Sequence, residues 1–528
     1  MKHSDPLCLA IDLGTSGPKV ALLTFYGDVI ASAFFPTDLI FAGSGGVEQC
    51  PKQWWKGVSS GIHQVLGQSE SYRKRVCVMC CTSQWSGTIP VDESLKPLMN
   101  CMTWMDSRGA GNIQKLNRSW MSAKGYHPYK MFQWIRKTGG LPGQSGKDPL
   151  AHILFIKSSM PEIYQNTRWF LEPKDYLNMK LTGVVASSYD TISLHWLTDN
   201  RNPHKINYDP SLIRMCGLSP DYLPPLFPST SVLGPLKPEL CREFGLPDSV
   251  RVINGSPDVQ SAAVGSGAVL DYQMHLYIGT SSWMTCHVPF KKTDLLSGIA
   301  TLPSALPGKY FVANEQESAG ICIDYLRKDL FSAKIESERL RNNHRCDFET
   351  LESMAASAPT GSRQLMFTPW LNGERTPVDD HKLRGGFHNI SLTNKPEDFI
   401  RSVYEGVAYN SRWLMSCVSS LTKRPVGSVH MIGGGALSNI WCQIHADILD
   451  CPVIQVKDPK YANLRGAAWI AALALGELSV SDIGNFVVTG NKYFPNPSDQ
   501  SLHSDRFQEF KNIYKSNRKI HQRLNHQL

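Results

Sequence analysis

The chain's chemistry centres on one carboxylate and one glycine–hydroxyl turn. Asp258 is presented by the Gly/Ser/Pro-rich stretch Asn254-Gly255-Ser256-Pro257. Small residues follow it (Ser261, Ala262, Ala263, Gly265, Gly267, Ala268), as a helix packed closely against another backbone requires. Residues 275–278 read as a strand that runs into Gly279-Thr280-Ser281-Ser282, and residues 283–288 read as the strand that returns. A strand, a Gly-Thr/Ser turn and a returning strand suit a phosphate cradle, with backbone N–H groups and hydroxyls pointing inward. A base would then precede a phosphate loop. Taken alone, the same stretch also reads as a plain hairpin beside a turn aspartate.

Two further turns have related chemistry. Residues 7–11 form an apolar strand ending in Asp12-Leu13-Gly14-Thr15-Ser16-Gly17-Pro18-Lys19, with a return strand over 20–23 and a third over 29–35. The loop lacks the GxxxxGK[ST] spacing of nucleotide hydrolases. An acidic residue at a strand end, followed by Gly and hydroxyls, instead suits hydrated magnesium and phosphate oxygens. Later, residues 429–432 read as a strand ending in Gly433-Gly434-Gly435-Ala436-Leu437-Ser438-Asn439. The helix after it carries Leu437, Trp441, Ile444 and Ile448 on one face, and a strand follows over 452–456. Three glycines at a strand-to-helix turn let a flat or charged ligand approach the backbone, so this reads as a nucleotide loop, although not a GxGxxG.

Polar turns in the first half complete the set. The strand 76–82 leads into Ser83-Gln84-Trp85-Ser86-Gly87-Thr88, at a strand end where open α/β sheets bind ligands. Trp104, Asp106 and Arg108 follow, an apolar platform with directional polar groups of the kind a sugar needs. Surface ion pairing of Asp106 with Arg108 is the plainer alternative. Residues 370–377 and 384–388 form a charged, Gly/Pro-rich loop typical of function, with a structural Glu374–Arg375 pair as its plainer reading.

These turns need a scaffold. At 528 residues the chain holds two or more domains, with a boundary near 255–261 that gives halves 1–258 and 259–528. A helix starts in 169–177 and ends at Thr182-Gly183, residues 224–236 are a Pro/Ser-rich connector, and 250–253 is the strand feeding Asp258. The Ala-rich helix 462–476 suits tight packing. Hydrophobic content of 42% with 19% charge is that of a globular protein. No apolar run reaches membrane-spanning length, and the start MKHSDPLCLAIDLGT meets aspartate and glycine too early for a signal peptide. The fourteen cysteines therefore read as reduced thiols of a cytoplasmic protein, with Cys77, Cys80 and Cys81 on a buried strand rather than in a metal knuckle. The net charge of +8 falls largely in a last helix, where Lys511, Lys515, Arg518, Lys519 and Arg523 form a solvated face over Phe507, Phe510, Tyr514 and His521. A phosphate-bearing small substrate fits that charge, and neither a nucleic-acid nor a membrane partner is expected.

Taken in order, AIDLGTSGPKVAL, GGVEQCPKQWW, QWSGTIPVDE, TWMDSRG, EPKDYLNMKLTG, GSPDVQSAAVGSG, IGTSSW, LNGERTP and IGGGALSNIWCQIHAD resemble the FGGY family of carbohydrate kinases, most closely its xylulokinase-like branch. The resemblance covers roughly residues 7 to 476. It implies an α/β fold of two ribonuclease-H-like domains, of the actin and hexokinase type, around an ATP cleft. It also implies ATP and Mg2+ as cofactors and a sugar as the small-molecule partner, and it leaves a homodimer open. By the same resemblance Asp258 is the catalytic base and Asp12 lies near magnesium, through water. Thr15, Ser16, Gly279 and Thr280 then meet the phosphates, Gly434, Gly435 and Asn439 the adenosine, and Gln84, Trp85, Ser86, Trp104 and Asp106, with Asp258, the sugar. The implied reaction is phosphorylation of a terminal hydroxyl of a ketose such as D-xylulose. Xylulokinases usually carry Met-His after the glutamine, whereas this chain has Trp85-Ser86, which leaves ribulose, gluconate or glycerol open. An ATP-driven switch without phosphotransfer, or a sugar sensor, are the readings from another class.

Overall fold

The structure is a computed structural model that describes residues 5–120, 122–330 and 348–526. Residues 1–4 of the start discussed above lie outside the described residues, as does Cys346. Two sheets with the same inner topology form the scaffold. In the first, strand Leu7–Gly14 pairs antiparallel with Gly17–Thr24, which pairs antiparallel with Val29–Phe34. On its other side Leu7–Gly14 runs parallel to Val76–Ser83, and that strand runs parallel to Arg251–Pro257. In the second sheet, Met274–Ile278 pairs antiparallel with Ser282–Thr285 and parallel with Val429–Ile432, followed by the parallel strand Val453–Val456. The hairpin repeat legible in the sequence is thus a repeat of topology, and the chain has the ribonuclease-H-like architecture twice. Thr489–Tyr493 closes the second sheet antiparallel.

Side-chain alternation explains why the first sheet is covered on both faces. Leu7, Leu9, Ile11, Val20 and Leu22 face the helix Pro51–Leu66 through Trp54, Val58, Ile62 and Val65. The opposite face, with Cys8, Ala10, Ala21, Leu23, Val78 and Cys80, packs on Leu464, Ala467, Ala468 and Ala471 of the helix Ala462–Leu475. A helix from the chain's second half therefore covers the first half's sheet. It also donates from Trp469 Nε1 to Phe25 O at 3.1 Å.

That helix crosses Asp258–Gly265 with no side chain between the two backbones at the contact. A Cβ on Gly265 would lie 1.8 Å from Ala462 O, and one on Gly466 would lie 1.8 Å from Ser261 O. The small residues after Asp258 and the Ala-rich helix are the two partners of this single crossing.

Several local expectations need correcting. Residues 254–257 are not a free turn: they continue the strand Arg251–Pro257 through a bulge against Val76–Ser83, between Ile253 and Ser256. Gly255 sits there at φ +74°, where a Cβ would come within 2.1 Å of Cys81 O. The Pro/Ser-rich connector contains the strand Val232–Pro235, which pairs with Arg251–Pro257 as the sheet's edge, where proline is tolerated. Trp169–Leu171 is a strand, and the helix begins only at Pro173.

The bulge takes the Asn254 carbonyl out of the sheet ladder, and a buried cation answers it. Lys174 Nζ, fully buried, donates to Asn254 O at 2.9 Å and to Asp175 Oδ1 at 2.6 Å, and Asn178 Nδ2 donates to Asn254 O at 2.7 Å. Four residues later the strand ends and Asp258 opens its helix.

Two substitutions test this scaffold. Gly466→Ala should lower stability by about 1–3 kcal/mol or more, because backbone rather than a flexible side chain must yield; a thermal midpoint equal to the parent's would rule out the close crossing. Lys174→Met should cost about 3–5 kcal/mol, since Asp175 and the Asn254 carbonyl lose their buried partner. Denaturant unfolding reads it, and an unchanged midpoint would mean that the bulge does not depend on the ammonium.

Candidate active site

Two carboxylates meet between the sheets. Asp12 ends the first strand and is 1% exposed. Its Oδ2 accepts from Asn463 Nδ2 at 3.3 Å and lies 3.6 Å from Lys19 Nζ, while its Oδ1 is buried with no hydrogen-bond partner among the described residues. Asn463 stands on Ala462–Leu475, so the crossing helix reaches into the first loop. Asp258, partly exposed, accepts at Oδ1 from the Val259 N–H at 2.8 Å. Burial, then the Asp12 carboxylate beside it, push the Asp258 carboxyl up to about 8; Glu315 adds to this, while the Val259 N–H and Lys19 oppose it.

The two hairpin turns present free donors. In the second, Gly320 N–H donates to Gly279 O at 2.7 Å and Ala319 N–H to Thr280 O at 2.9 Å. Those bonds turn the carbonyls toward the Gly320–Tyr325 helix, and the hydroxyls of the exposed Thr280 and its neighbour Ser281 make no hydrogen bond among the described residues. In the first turn Ser16 is exposed and, among the described residues, only its carbonyl is engaged, by Thr37 N–H at 3.0 Å. Thr15 differs: its hydroxyl accepts from Trp104 Nε1 at 3.0 Å and donates to Gln84 Oε1 at 3.2 Å.

The glycine run forms a backbone shelf. Gly433 has φ +87° and a Cβ there would lie 2.4 Å from Ile278 O, whereas a Cβ on Gly434 meets nothing within 4 Å. Gly434 is exposed and Gly435 is buried against Ile278 and Trp441. Leu437 does not lie on the helix's buried face as expected: it sits in the turn Gly434–Leu437, 68% exposed, because the helix starts at Asn439. The Asn439 side-chain oxygen accepts from Tyr493 OH at 2.7 Å.

On the other side of Thr15, buried amides form a chain. Gln84 Nε2 donates to Gln49 Oε1 at 2.7 Å, and Gln49 Nε2 donates to Thr15 O at 2.7 Å. Gln49 was not picked out from the sequence; the only signal was its place in GGVEQ, between Gly46 and the helix start. Asp106 is fully buried and its oxygens are spent on Val47 N–H and on the Arg108 guanidinium, which also reaches Glu48 at 2.6 Å. Asp106 and Arg108 thus form an ion pair, but inside the protein. Trp85 Nε1 donates to Thr191 O and Ser86 Oγ to Lys147 O, both at 2.8 Å. Trp85, Ser86 and Asp106 thus spend these polar atoms inside the protein; of this set Thr15, Trp85 and Trp104 are the partly exposed members.

The loop 370–377 contributes across the cleft. Glu374 and Arg375 do not form an ion pair. Glu374 is buried and accepts from Asn410 Nδ2 at 2.6 Å and from the Glu317 and Arg375 N–H groups at 2.9 Å, and burial pushes its carboxyl up to about 8. Arg375 pairs instead with Glu315 and Glu317. Glu315 acts on Asp258, and both glutamates and Arg375 act on Lys147 of the first half. None of these cross-lobe partners was legible from spacing.

The arrangement suits phosphoryl transfer: two turns with hydroxyl donors, a carboxylate whose affinity for a proton is raised, an acidic residue with one oxygen unpartnered among the described residues, and amides and indoles held in place by one another. Comparison with known proteins agrees. The family model of the FGGY carbohydrate kinases matches over residues 7–265 for the N-terminal domain and 274–475 for the C-terminal domain. A xylulose kinase of Staphylococcus epidermidis is 28% identical over 517 residues, 97% of each chain. A gluconokinase of Bacillus subtilis is 26% identical over 495 residues, 93% of this chain and 92% of that one. Among solved structures, a ligand-bound xylulose kinase from Lactobacillus acidophilus superposes with a TM-score of 0.87 at 23% identity, covering 98% of this chain and all (100%) of that one. Glycerol kinase of Plasmodium falciparum with ADP gives 0.82 at 16% identity over 97% and 98%. Fold, site chemistry and the two family models agree: the chain belongs to the FGGY family of carbohydrate kinases.

Proposed function

We propose that this carbohydrate kinase transfers the γ-phosphoryl group of ATP to a terminal hydroxyl of a ketose, D-xylulose being the first sugar to test. The observation that carries this is Asp258: a carboxylate at a helix start, beside Asp12, with its affinity for a proton raised to about 8. Such a group takes a proton near neutral pH far better than an ordinary aspartate. The sugar lies against Gln84, Trp85 and Trp104, with Gln84 and Trp104 oriented by the Thr15 and Gln49 contacts, while Ser86 and Asp106 brace that wall. The loop backbone at Thr15, with Ser16, Gly279 and Thr280, receives the phosphates, and Gly434, Gly435 and Asn439 receive the adenosine.

Asp12 fits a magnesium ion, because its Oδ1 is buried without a partner while Lys19 and Asn463 hold only Oδ2. Among the described residues no three His, Cys, Asp or Glu side chains converge, so water and phosphate oxygens would complete the shell. When bound, magnesium supplies neutralisation of phosphate charge. The chain's own work is positioning and proton removal: Asp258 draws the proton from the attacking hydroxyl, and the halves 1–258 and 259–528 close on the sugar about the helix crossing and exclude water.

Lys147 favours a sugar acid as the second reading. Its ammonium makes no ion pair among the described residues, and burial, then Arg375, hold its amine below the usual lysine range. A substrate carboxylate would pair with it.

No described helix is long and apolar enough to cross a membrane. We place the activity in the cytoplasm, where the thirteen described cysteines, none in a disulfide, stay reduced. Neither a nucleic acid nor a protein partner is needed for it; a homodimer is a matter for sizing by light scattering.

ADP release with MgATP should be stimulated by one of a panel of ketoses, polyols and aldonates; stimulation by none would remove the kinase reading for this chain. Asp258→Asn should lower kcat by roughly 10²–10⁴ and leave the sugar's binding constant nearly unchanged. The base must be ionised, so kcat/KM should rise with pH toward about 8; a flat profile there would exclude Asp258 as proton acceptor. The same raised value means that ionising Asp258 costs folded-state stability as pH rises from the ordinary carboxylate range through about 8. Asp258→Asn should therefore melt above the parent at alkaline pH, with the gap shrinking toward acid.

A further inference from the structure

Tyr277 and Trp283 have no part in the reading above. They face each other across the hairpin that carries the second phosphate turn, in register on Met274–Ile278 and Ser282–Thr285. Their rings stack with centroids 3.9 Å apart and planes 6° from parallel. The Tyr277 ring packs against Ala262, one turn beyond Asp258, and against Ile432, Val456 and Ala462. The Tyr277 ring also folds forward over the turn: a Cβ placed on Gly279 would lie 2.4 Å from both Tyr277 Cε1 and its hydroxyl oxygen. Gly279 is thus needed for the ring to lie where it does.

The phenol is held by Trp283 along the ring and by small residues of the crossing helices. Its hydroxyl makes no hydrogen bond to any described residue, although Tyr277 is only partly exposed. A donor fixed by aromatic packing, unpaired, at the head of a phosphate turn and one helical turn from the base is preorganised for an anion. Burial, then Asp258 and Asp12, push the phenol up to about 12, so it keeps its proton at neutral pH and both carboxylates are near enough to act on it.

We infer that the Tyr277 hydroxyl is a further phosphate-binding group, donating a hydrogen bond to the γ-phosphoryl group of ATP, with Trp283 holding the ring in position. The inference rests on the proposed function in taking ATP as the nucleotide, the Gly279–Ser281 turn as a phosphate site and Asp258 as the base. The γ-phosphoryl group is the part of ATP that must lie between Asp258 and the second turn, so the contact should distinguish ATP from ADP.

Calorimetry on the full chain tests it with two probes, magnesium ADP and the magnesium complex of the non-hydrolysable imido analogue of ATP. Tyr277→Phe keeps the stack and removes the donor. It should weaken the analogue about tenfold, the scale of one hydrogen bond to a charged group, and leave ADP within about twofold. With the sugar found by the panel, kcat should fall while the sugar's KM stays put. Equal binding of both nucleotides to variant and parent would overturn the inference, and so would an equal loss for both, which marks a structural role. A second measurement does not depend on the variant folding: the ¹⁹F resonance of fluorotyrosine at position 277 should shift with the analogue and not with ADP, and no shift would overturn the inference. If the parent binds nucleotide but phosphorylates no sugar, the proposed function fails, while the two-nucleotide comparison still decides the role of Tyr277.

Discussion

The rest of the molecule depends on two helix backbones that touch. Glycine at 265 and at 466 lets Asp258–Gly265 and Ala462–Leu475 approach without intervening side chains. One helix begins with Asp258, and the other sends Asn463 to Asp12. The crossing therefore sets how far apart the two carboxylates stand, and their proximity helps keep Asp258 basic. A larger residue at either glycine would change that electrostatic relation as well as the packing. The same contact packs a helix on one sheet against a helix on the other, while the halves also meet through bonds such as Lys291 Nζ to Ile135 O and Tyr310 OH to Asn200 O.

Around Gln84, the protein bears the desolvation of charged groups to hold neutral ones still. Asp106 is buried, with Arg108 and Glu48 only slightly exposed, and the Asp106 carboxylate accepts from the Val47 N–H two residues before Gln49. Gln49 then orients Gln84. A buried ion pair is weak evidence of stability but a good way to fix geometry, and a ligand hydroxyl tests geometry to within tenths of an ångström. Lys174 does comparable work behind Asp258, where it answers the carbonyl that the bulge freed.

Much of this was legible in the sequence, for identifiable reasons. Apolar strands running into Asp12-Leu-Gly-Thr-Ser and Ile-Gly-Thr-Ser-Ser announced the duplicated hairpins, since strand periodicity and turn residues are local signals. The small residues after Asp258 and the alanines after Ala462 each called for a close partner, although nothing local said that each was the other's. What escaped notice depends on distant neighbours. The strand Val232–Pro235 hid in a Pro/Ser-rich segment because edge strands tolerate proline. Leu437 kept helical spacing yet stayed outside the helix, which Ser438 caps by accepting from the Trp441 N–H at 3.2 Å. Arg375 bypassed its neighbour Glu374 for two glutamates some sixty residues earlier in the chain. No pattern within a short window can report such a choice.

The helix Ala462–Leu475 also has a consequence for how the chain is made. The first sheet is complete in sequence at Pro257, but one of its faces, with Cys8, Ala10, Ala21, Leu23 and Cys80, is covered by residues translated far later. At ~5–20 residues per second, the ribosome leaves that face bare for roughly ten to forty seconds. An apolar sheet exposed for so long is a substrate for chaperones and a seed for aggregation. The same helix that lets the two lobes work as one enzyme thus prevents the first lobe from maturing as an independent unit.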